Sequence, residues 1–125
     1  MQTKLQTVEP ITIACDPSAI PAEARAGWVE TGKHVYAAVR EVQELANGYR
    51  FRLPAESAML VRVAEYISNE RLCCSFLHFS VDITPNQGPF WLSLSGGEGV
   101  KAYIAGIFTA NALIDPDLAA AAGLS

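Results

Sequence analysis

A predicted helix changes into a predicted strand within one stretch of ten residues, Glu70-Arg71-Leu72-Cys73-Cys74-Ser75-Phe76-Leu77-His78-Phe79. The stretch contains two of the three cysteines of the chain, Cys73 and Cys74. Before it, apolar residues recur at helical spacing, and after it they alternate with polar residues as in a half-buried strand. The other elements are predicted from the same two periods on either side of this junction.

The helix before the junction is predicted to begin at Ala55-Glu56-Ser57, directly after Pro54. Four apolar residues form its expected buried stripe: Leu60, Val63, Ala64 and Ile67. Glu70 and Cys74 are four residues apart, so both should project from one side of its last turns.

Three stretches have the alternation of strands, over 49–53, 77–83 and 90–94. The first should direct Tyr49, Phe51 and Leu53 inward. The loop over 85–89 should join the other two as a hairpin. Several residues are predicted to point away from the core: Arg50, Arg52, Phe76, His78, Ser80, Asp82 and Trp91.

Two further helices are predicted. A long N-terminal helix should run from Pro21 to about Leu45 and stop at Asn47-Gly48, where glycine can adopt the left-handed conformation that closes helices. A short extended segment over 11–13 should precede it as an edge strand. The last helix should follow a capping box formed by Ser95 and Glu98, and Asp115-Pro116 should end it.

These elements predict one α+β domain over 1–114 and a flexible C-terminal tail over 115–125. The sheet should be small, mixed or antiparallel, with three or four strands. Because a helix joins the first two predicted strands, those strands should be parallel, and the third should insert between them as a split β-α-β unit. The second and third helices should cover one sheet face, and the other face should meet solvent, the long N-terminal helix or a second subunit.

Composition and charge make several classes of partner and location unfavourable. The chain has 125 residues, 50% of them hydrophobic, and a net charge of −4. This acidity disfavours nucleic acid and anionic membranes as partners. No apolar run approaches the roughly 18 residues of a membrane span, and the first seven residues do not have the pattern of a secretory signal. A cytosolic protein is therefore expected, with its three cysteines as free thiols or ligands rather than a disulfide framework.

The cysteines suggest a soft-metal site. Adjacent cysteines on a helix point about 100° apart, so the sulfur atoms converge only if the helix unwinds at Cys74. Either Cys73 and Cys74 then face a common point, or one of them does so with Cys15 from the N-terminal segment. Two or three thiolates suffice for a thiophilic ion. His78, four residues after Cys74, is a further candidate ligand. A closed zinc site is not expected, because the chain has no second pair of ligands.

Glu70 and Arg71 are candidates to act on these ligands. Glu70 lies on the apolar side of its helix and should form a salt bridge with Arg50 or Arg52, unless it serves in ligation or proton transfer. The dipole at a helix C-terminus disfavours a negatively charged thiolate. The positive charge of Arg71 offsets this effect only if its side chain folds back toward the cysteines. No C-x-x-C motif is present. Binding without turnover is therefore favoured, and whether the protein is an enzyme stays open.

Three motifs resemble a family of small bacterial proteins without an assigned activity. They are Glu70-Arg71-Leu72-Cys73-Cys74-Ser75-Phe76, Gly88-Pro89-Phe90-Trp91-Leu92 and Gly97-Glu98-Gly99. The family pattern is E-R-x-C-C-P-F, then a G-P-x-W-L strand, then an L-x-G-x-E-G helix start. The resemblance covers about 15–108 and includes Cys15, but Ser75 replaces the usual proline. Related segments accompany metal-responsive regulators of the MerR type, so the resemblance implies mercury-like ions by association.

Two functions are therefore predicted. The first is the binding of a soft metal ion or thiol-reactive ligand through Cys73, Cys74 and Cys15. The alternative is a non-catalytic module that forms a homodimer through the outer sheet face or the first helix, with the cysteines as core residues. The expected exposure of Trp91 and Phe76 motivates the alternative, since apolar groups on a sheet face usually become covered.

Overall fold

The computed structural model describes residues 13–110. Two 3₁₀ turns, Pro17–Ala19 and Ala22–Ala24, precede the regular elements. These are helix α1 (Arg25–Ala37), strands β1 (Glu41–Leu45) and β2 (Gly48–Leu53), helix α2 (Ser57–Cys73), strands β3 (His78–Ile83) and β4 (Phe90–Ser95), and helix α3 (Val100–Ala110). The predicted α+β class is confirmed. The predicted edge strand over 11–13, Ile13 excepted, lies outside the described residues, as do the helix end at Asp115-Pro116 and the tail over 115–125.

The four strands form one antiparallel sheet in the order β1-β2-β4-β3. Strand β4 lies between β2 and β3, which helix α2 joins, so the predicted split β-α-β unit is confirmed. The register places Phe51 opposite Leu92, and Leu92 opposite Val81. These three side chains share the inner face, because residues directly opposite each other in a sheet point to the same side.

The first helix is shorter than predicted. Helix α1 ends at Ala37, and residues 41–45 form strand β1, which pairs with β2 through a tight turn from Leu45 to Gly48. Glutamate, glutamine and leucine favour a helix locally, but the ladder with β2 satisfies the backbone of this segment and outweighs that preference. Asn47-Gly48 therefore lies at a hairpin turn and does not end a helix.

The core lies between the inner sheet face and the helices. Leu53, Leu92 and Leu94 are buried in it, and burial of each such side chain contributes roughly 1.5–3 kcal/mol. The predicted stripe of helix α2 is confirmed in part, because Val63 is buried and Leu60 and Ile67 are half-buried against the core. The other buried residues of the helix are Met59, Tyr66 and Cys73. Ala64 is exposed. The prediction counted aliphatic residues and overlooked an aromatic and sulfur-containing face at the same helical spacing, on which Glu70 also falls.

Two aromatic residues predicted to be exposed are buried. Trp91 is 9% exposed, because the Arg50 guanidinium carbon lies 4.1 Å from its ring centroid on the outer sheet face. Phe76 is 7% exposed, and its ring forms a T-shaped pair with that of Tyr103 at a centroid distance of 5.0 Å. A cation over an aromatic face and an edge-to-face ring pair are both favourable contacts. The predicted exposure of Trp91 and Phe76, on which the dimer alternative was based, is therefore wrong.

The start of α3 also differs from the prediction. The helix begins at Val100, after Gly99, which has a φ of +88°. Ser95 is the last residue of β4, where it pairs with Gly48 and His78. It therefore lies too early in the chain to cap the helix, and the predicted capping box is wrong.

Within residues 13–110, no helix is both long and apolar enough to cross a membrane.

Candidate thiol site

The three cysteines meet at the C-terminal end of α2. Cys73 is the last residue of the helix, and Cys74 leaves helical conformation with φ −114° and ψ 71°. The N-terminal segment docks beside them, where the Asp16 N–H donates to the Cys73 carbonyl oxygen at 2.9 Å. The sulfur atoms of Cys15, Cys73 and Cys74 all lie within 4.8 Å of one another. Unwinding at the junction thus produces the convergence that adjacent cysteines on a helix cannot achieve.

Two of these cysteines form a disulfide. Cys15 and Cys74 are paired, with a Cα–Cα distance of 4.7 Å and a separation of 59 positions in sequence. Cys73 is free and buried. The expectation that all three cysteines are free thiols is therefore corrected. The pairing depends on where the N-terminal segment docks, and neither the spacing nor the composition of the chain indicates that position.

Glu70 connects the sulfur atoms to helix α1. Its side chain is half-buried, and its Oε1 atom accepts a hydrogen bond of 2.8 Å from Trp28 Nε1. Its Oε2 atom lies 3.6 Å from Cys74 Sγ. Burial raises the pKa of Tyr66, and the nearby Glu70 carboxylate raises it further. Since a disulfide sulfur has no proton, Cys74 can donate to Glu70 only in the reduced protein.

The salt bridge expected for Glu70 is absent from the described part of the chain. Arg52 pairs with Glu41 at 3.0 Å, and Arg50 donates to Gln43 at 2.8 Å, both on the outer sheet face. Glu70 belongs to the packed stripe of α2, on the opposite side of the sheet. Strand alternation places the two arginines on the face that α2 does not cover, so the sheet itself separates them from the carboxylate.

The surroundings favour neutral side chains around the sulfur atoms. Burial raises the pKa of the Cys73 thiol, and the nearby Glu70 carboxylate raises it further. Burial likewise raises the pKa of Tyr103, with smaller contributions from Cys73 and Glu70. The Tyr103 hydroxyl lies 3.0 Å from Cys15 Sγ and is the donor when that sulfur is in the disulfide. A ligand that needs thiolates must therefore displace protons from this site.

His78 does not join the convergent sulfur atoms, and Arg71 forms no recorded contact with them. His78 is exposed at the start of β3, where it lines a separate groove with Asn47, Ser95 and Gly97. It is not among the described residues whose ligand atoms come together at the thiols. Arg71 is exposed on the last turn of α2. The structure therefore unites Cys15, Cys73 and Cys74, with Glu70 beside them.

Sequence reasoning missed the aromatic residues around this site. Trp28 lies within the predicted N-terminal helix and Tyr103 within the predicted last helix, and neither is among the predicted site residues, yet each presents a polar atom to the site. A buried indole N–H or phenol hydroxyl usually requires a hydrogen-bonding partner. The sequence signal available was the combination of Trp28 on one helix stripe with an unexplained carboxylate, Glu70, on another.

The arrangement supports two kinds of sulfur chemistry. In the reduced protein, three thiols converge and can act together as soft donors. In the oxidised protein, the Cys73 sulfur lies beside a disulfide, which is the arrangement that thiol–disulfide exchange requires.

Comparison of the chain with protein-family models, with curated proteins and with solved structures finds no match. The resemblance drawn from the motifs stays a prediction, and its association with mercury-like ions stays one as well. What the protein does is therefore inferred from the geometry of its own residues.

Proposed function

We propose that the reduced protein binds a soft metal ion or thiol-reactive ligand through Cys15, Cys73 and Cys74, in the cytosol and without turnover. The convergence of three sulfur atoms within 4.8 Å carries this proposal. Cys15 comes from a segment far from α2 in sequence, so chance proximity along the chain does not account for the cluster.

The spacing of the sulfur atoms suits a single ion. Three thiolates that each lie about 2.3 Å from one metal ion in a plane are roughly 4 Å from one another. The cluster therefore needs only small side-chain rotations to surround an ion. Cys15 is exposed, so a ligand can approach from its side. Soft sulfur donors select thiophilic ions over hard ones such as Mg²⁺.

Binding requires prior reduction of the Cys15–Cys74 disulfide, because sulfur atoms in a disulfide are poor metal ligands. Two electrons from a cellular thiol reductant convert the disulfide into two thiols, and the reductant becomes a disulfide. A cytosolic compartment supplies such reductants.

Titration of the reduced protein with Hg²⁺ tests the proposal. Reductant is removed under anaerobic buffer, and ultraviolet absorbance follows the formation of metal–thiolate bonds. We expect one ion per chain, and loss of that stoichiometric binding in the double variant Cys73→Ser with Cys74→Ser. His78→Ala is the matched control, because His78 does not join the convergent sulfur atoms. Absence of stoichiometric binding, or equal binding by the double variant, would refute the proposal.

The burial of Cys73 and Cys74 in the core favours the alternative function, in which they serve only as core residues of a dimeric interaction module. Strand β3 is an edge of the sheet, and Ile83 at its end is 58% exposed. A second copy pairing along this edge would cover it. Sedimentation velocity at micromolar concentrations distinguishes this function, since a monomer at every concentration excludes it. If a dimer forms, Ile83→Lys should dissociate it.

A further inference from the structure

A cavity of about 460 Å³ opens between α1, α2 and the end of α3. This volume is in the range of small-molecule sites, which are mostly apolar and contain a few polar groups. Four aromatic side chains line it, together with one carboxylate: Trp28, Tyr36, Tyr66, Phe108 and Glu70. None of the described residues that line it is a cysteine, so the cavity is separate from the thiol site except through Glu70.

The aromatic rings form a connected wall. The Tyr36 ring centroid lies 5.4 Å from that of Tyr66 and 4.9 Å from that of Phe108. The Tyr36 and Tyr66 hydroxyls are 2.9 Å apart and bond to each other. Burial raises the pKa of both tyrosines, so both stay neutral at physiological pH. Neutral aromatic rings attract cations to their faces, and the attraction strengthens where water is excluded.

Glu70 supplies a negative charge that a neutral donor holds in place. The Trp28 indole N–H donates to this carboxylate, and the neutral Tyr66 side chain lies nearby. The ion pairs among residues 13–110 involve three other glutamates, on α1 and β1, and not Glu70. Lys33 also lines the cavity, but its side chain is exposed, where water and salt screen its charge. A half-buried carboxylate without a cationic partner favours a ligand that brings one.

We propose that this cavity binds an organic ammonium ion. The ammonium group lies against the Glu70 carboxylate, and its apolar body lies among the Trp28, Tyr36 and Phe108 rings. The proposal does not depend on metal binding at the cysteines. It gives Glu70 and the hydrogen-bonded pair of Tyr36 and Tyr66 a role that the thiol site does not supply.

A series of ligands with the same phenylethyl body and head groups of different charge tests the proposal on the wild-type protein. The probes are 2-phenylethylammonium, the neutral 2-phenylethanol and the anionic 3-phenylpropionate. Two-dimensional NMR of the ¹⁵N-labelled protein follows the Trp28 indole N–H signal, which reports directly on the cavity. We expect the ammonium ion to bind at least about tenfold more tightly than the alcohol, and the carboxylate to bind most weakly.

The variant Glu70→Gln keeps the size of the side chain and an acceptor for Trp28 but removes the charge. We expect it to reduce the affinity for the ammonium ion to that for the alcohol. Glu65→Gln is the matched control, because Glu65 is an exposed carboxylate on the same helix. The proposal is overturned if no probe binds at up to about 10 mM, if the ammonium ion and the alcohol bind equally, or if both variants behave alike.

Discussion

At the scale of single residues, Cys73 has the most distinctive environment in the thiol site. It is 3% exposed, and the Glu70 carboxylate lies close enough to oppose a second negative charge. Both effects stabilise the neutral thiol relative to the thiolate. A backbone hydrogen bond from Asp16 acts in the opposite direction but is the smaller influence. Cys73 should therefore be an unreactive thiol until a ligand or a conformational change removes its proton.

The pH dependence of alkylation checks this expectation. With the Cys15–Cys74 disulfide intact, Cys73 is the free cysteine, and iodoacetamide reacts with its thiolate. A raised pKa means that the thiolate appears only at higher pH. The midpoint of the rate profile in the native protein should therefore lie above that of the same protein in denaturant. A native midpoint equal to or below the denatured one would contradict the placement of Cys73.

At the scale of elements, the hairpin of β1 and β2 depends on the close approach of a third strand. Gly48 begins β2 opposite Ser95 of β4. A methyl group on Gly48 would collide with the Leu94 carbonyl oxygen and the Ser95 backbone. The glycine is thus required by the packing of two backbones rather than by the end of a helix.

Replacement of Gly48 by alanine should therefore destabilise the protein. We expect Gly48→Ala to lower the free energy of unfolding by roughly 1–3 kcal/mol, because β2 or β4 must shift to relieve the collision. Gly27→Ala is the matched control. Gly27 lies in α1 with open space around it, so alanine there should stabilise the helix by roughly 0.5–1 kcal/mol. Urea unfolding measures both, and similar midpoints for the two variants would contradict this account of the hairpin.

At the scale of the whole molecule, the N-terminal segment is fastened to the end of α2 and to α3. The Cys15–Cys74 disulfide, the hydrogen bond from Asp16 to Cys73 and the contact of Tyr103 with Cys15 lie side by side. The disulfide closes a loop that contains all of α1, β1, β2 and α2. In the chain-entropy model, a crosslink across 59 residues stabilises the fold by about 4 kcal/mol.

The stability of the protein should accordingly depend on the redox state. We expect Cys15→Ser to lower the free energy of unfolding by about 2–4 kcal/mol under oxidising conditions. Under reducing conditions, the variant and the wild type should unfold at nearly the same denaturant concentration. A wild-type midpoint that does not change on addition of reductant would show that the disulfide does not crosslink the native protein.

Much of the fold could be predicted because local periods differ between helices and strands. The alternation of 49–53 and 90–94, the hairpin over 85–89 and the helix that ends at the cysteines all follow from patterns within a few residues. The same reasoning wrongly predicted a helix over residues 41–45. Their composition suits a helix, and only the ladder with β2 makes them a strand. Trp91 was misplaced for a related reason, since alternation indicates the face of a side chain but not what covers it.

For the candidate site, the sequence by itself determined that thiols lie at a helix-to-strand junction with a carboxylate one turn earlier. Helical geometry requires that arrangement wherever the chain places α2. Only the tertiary structure decided that Cys15 reaches the junction, that Trp28 holds Glu70 and that an aromatic cavity opens beside it. These contacts join residues separated by dozens of positions. They depend on how the helices and the N-terminal segment pack against one sheet, and local sequence patterns do not encode that packing.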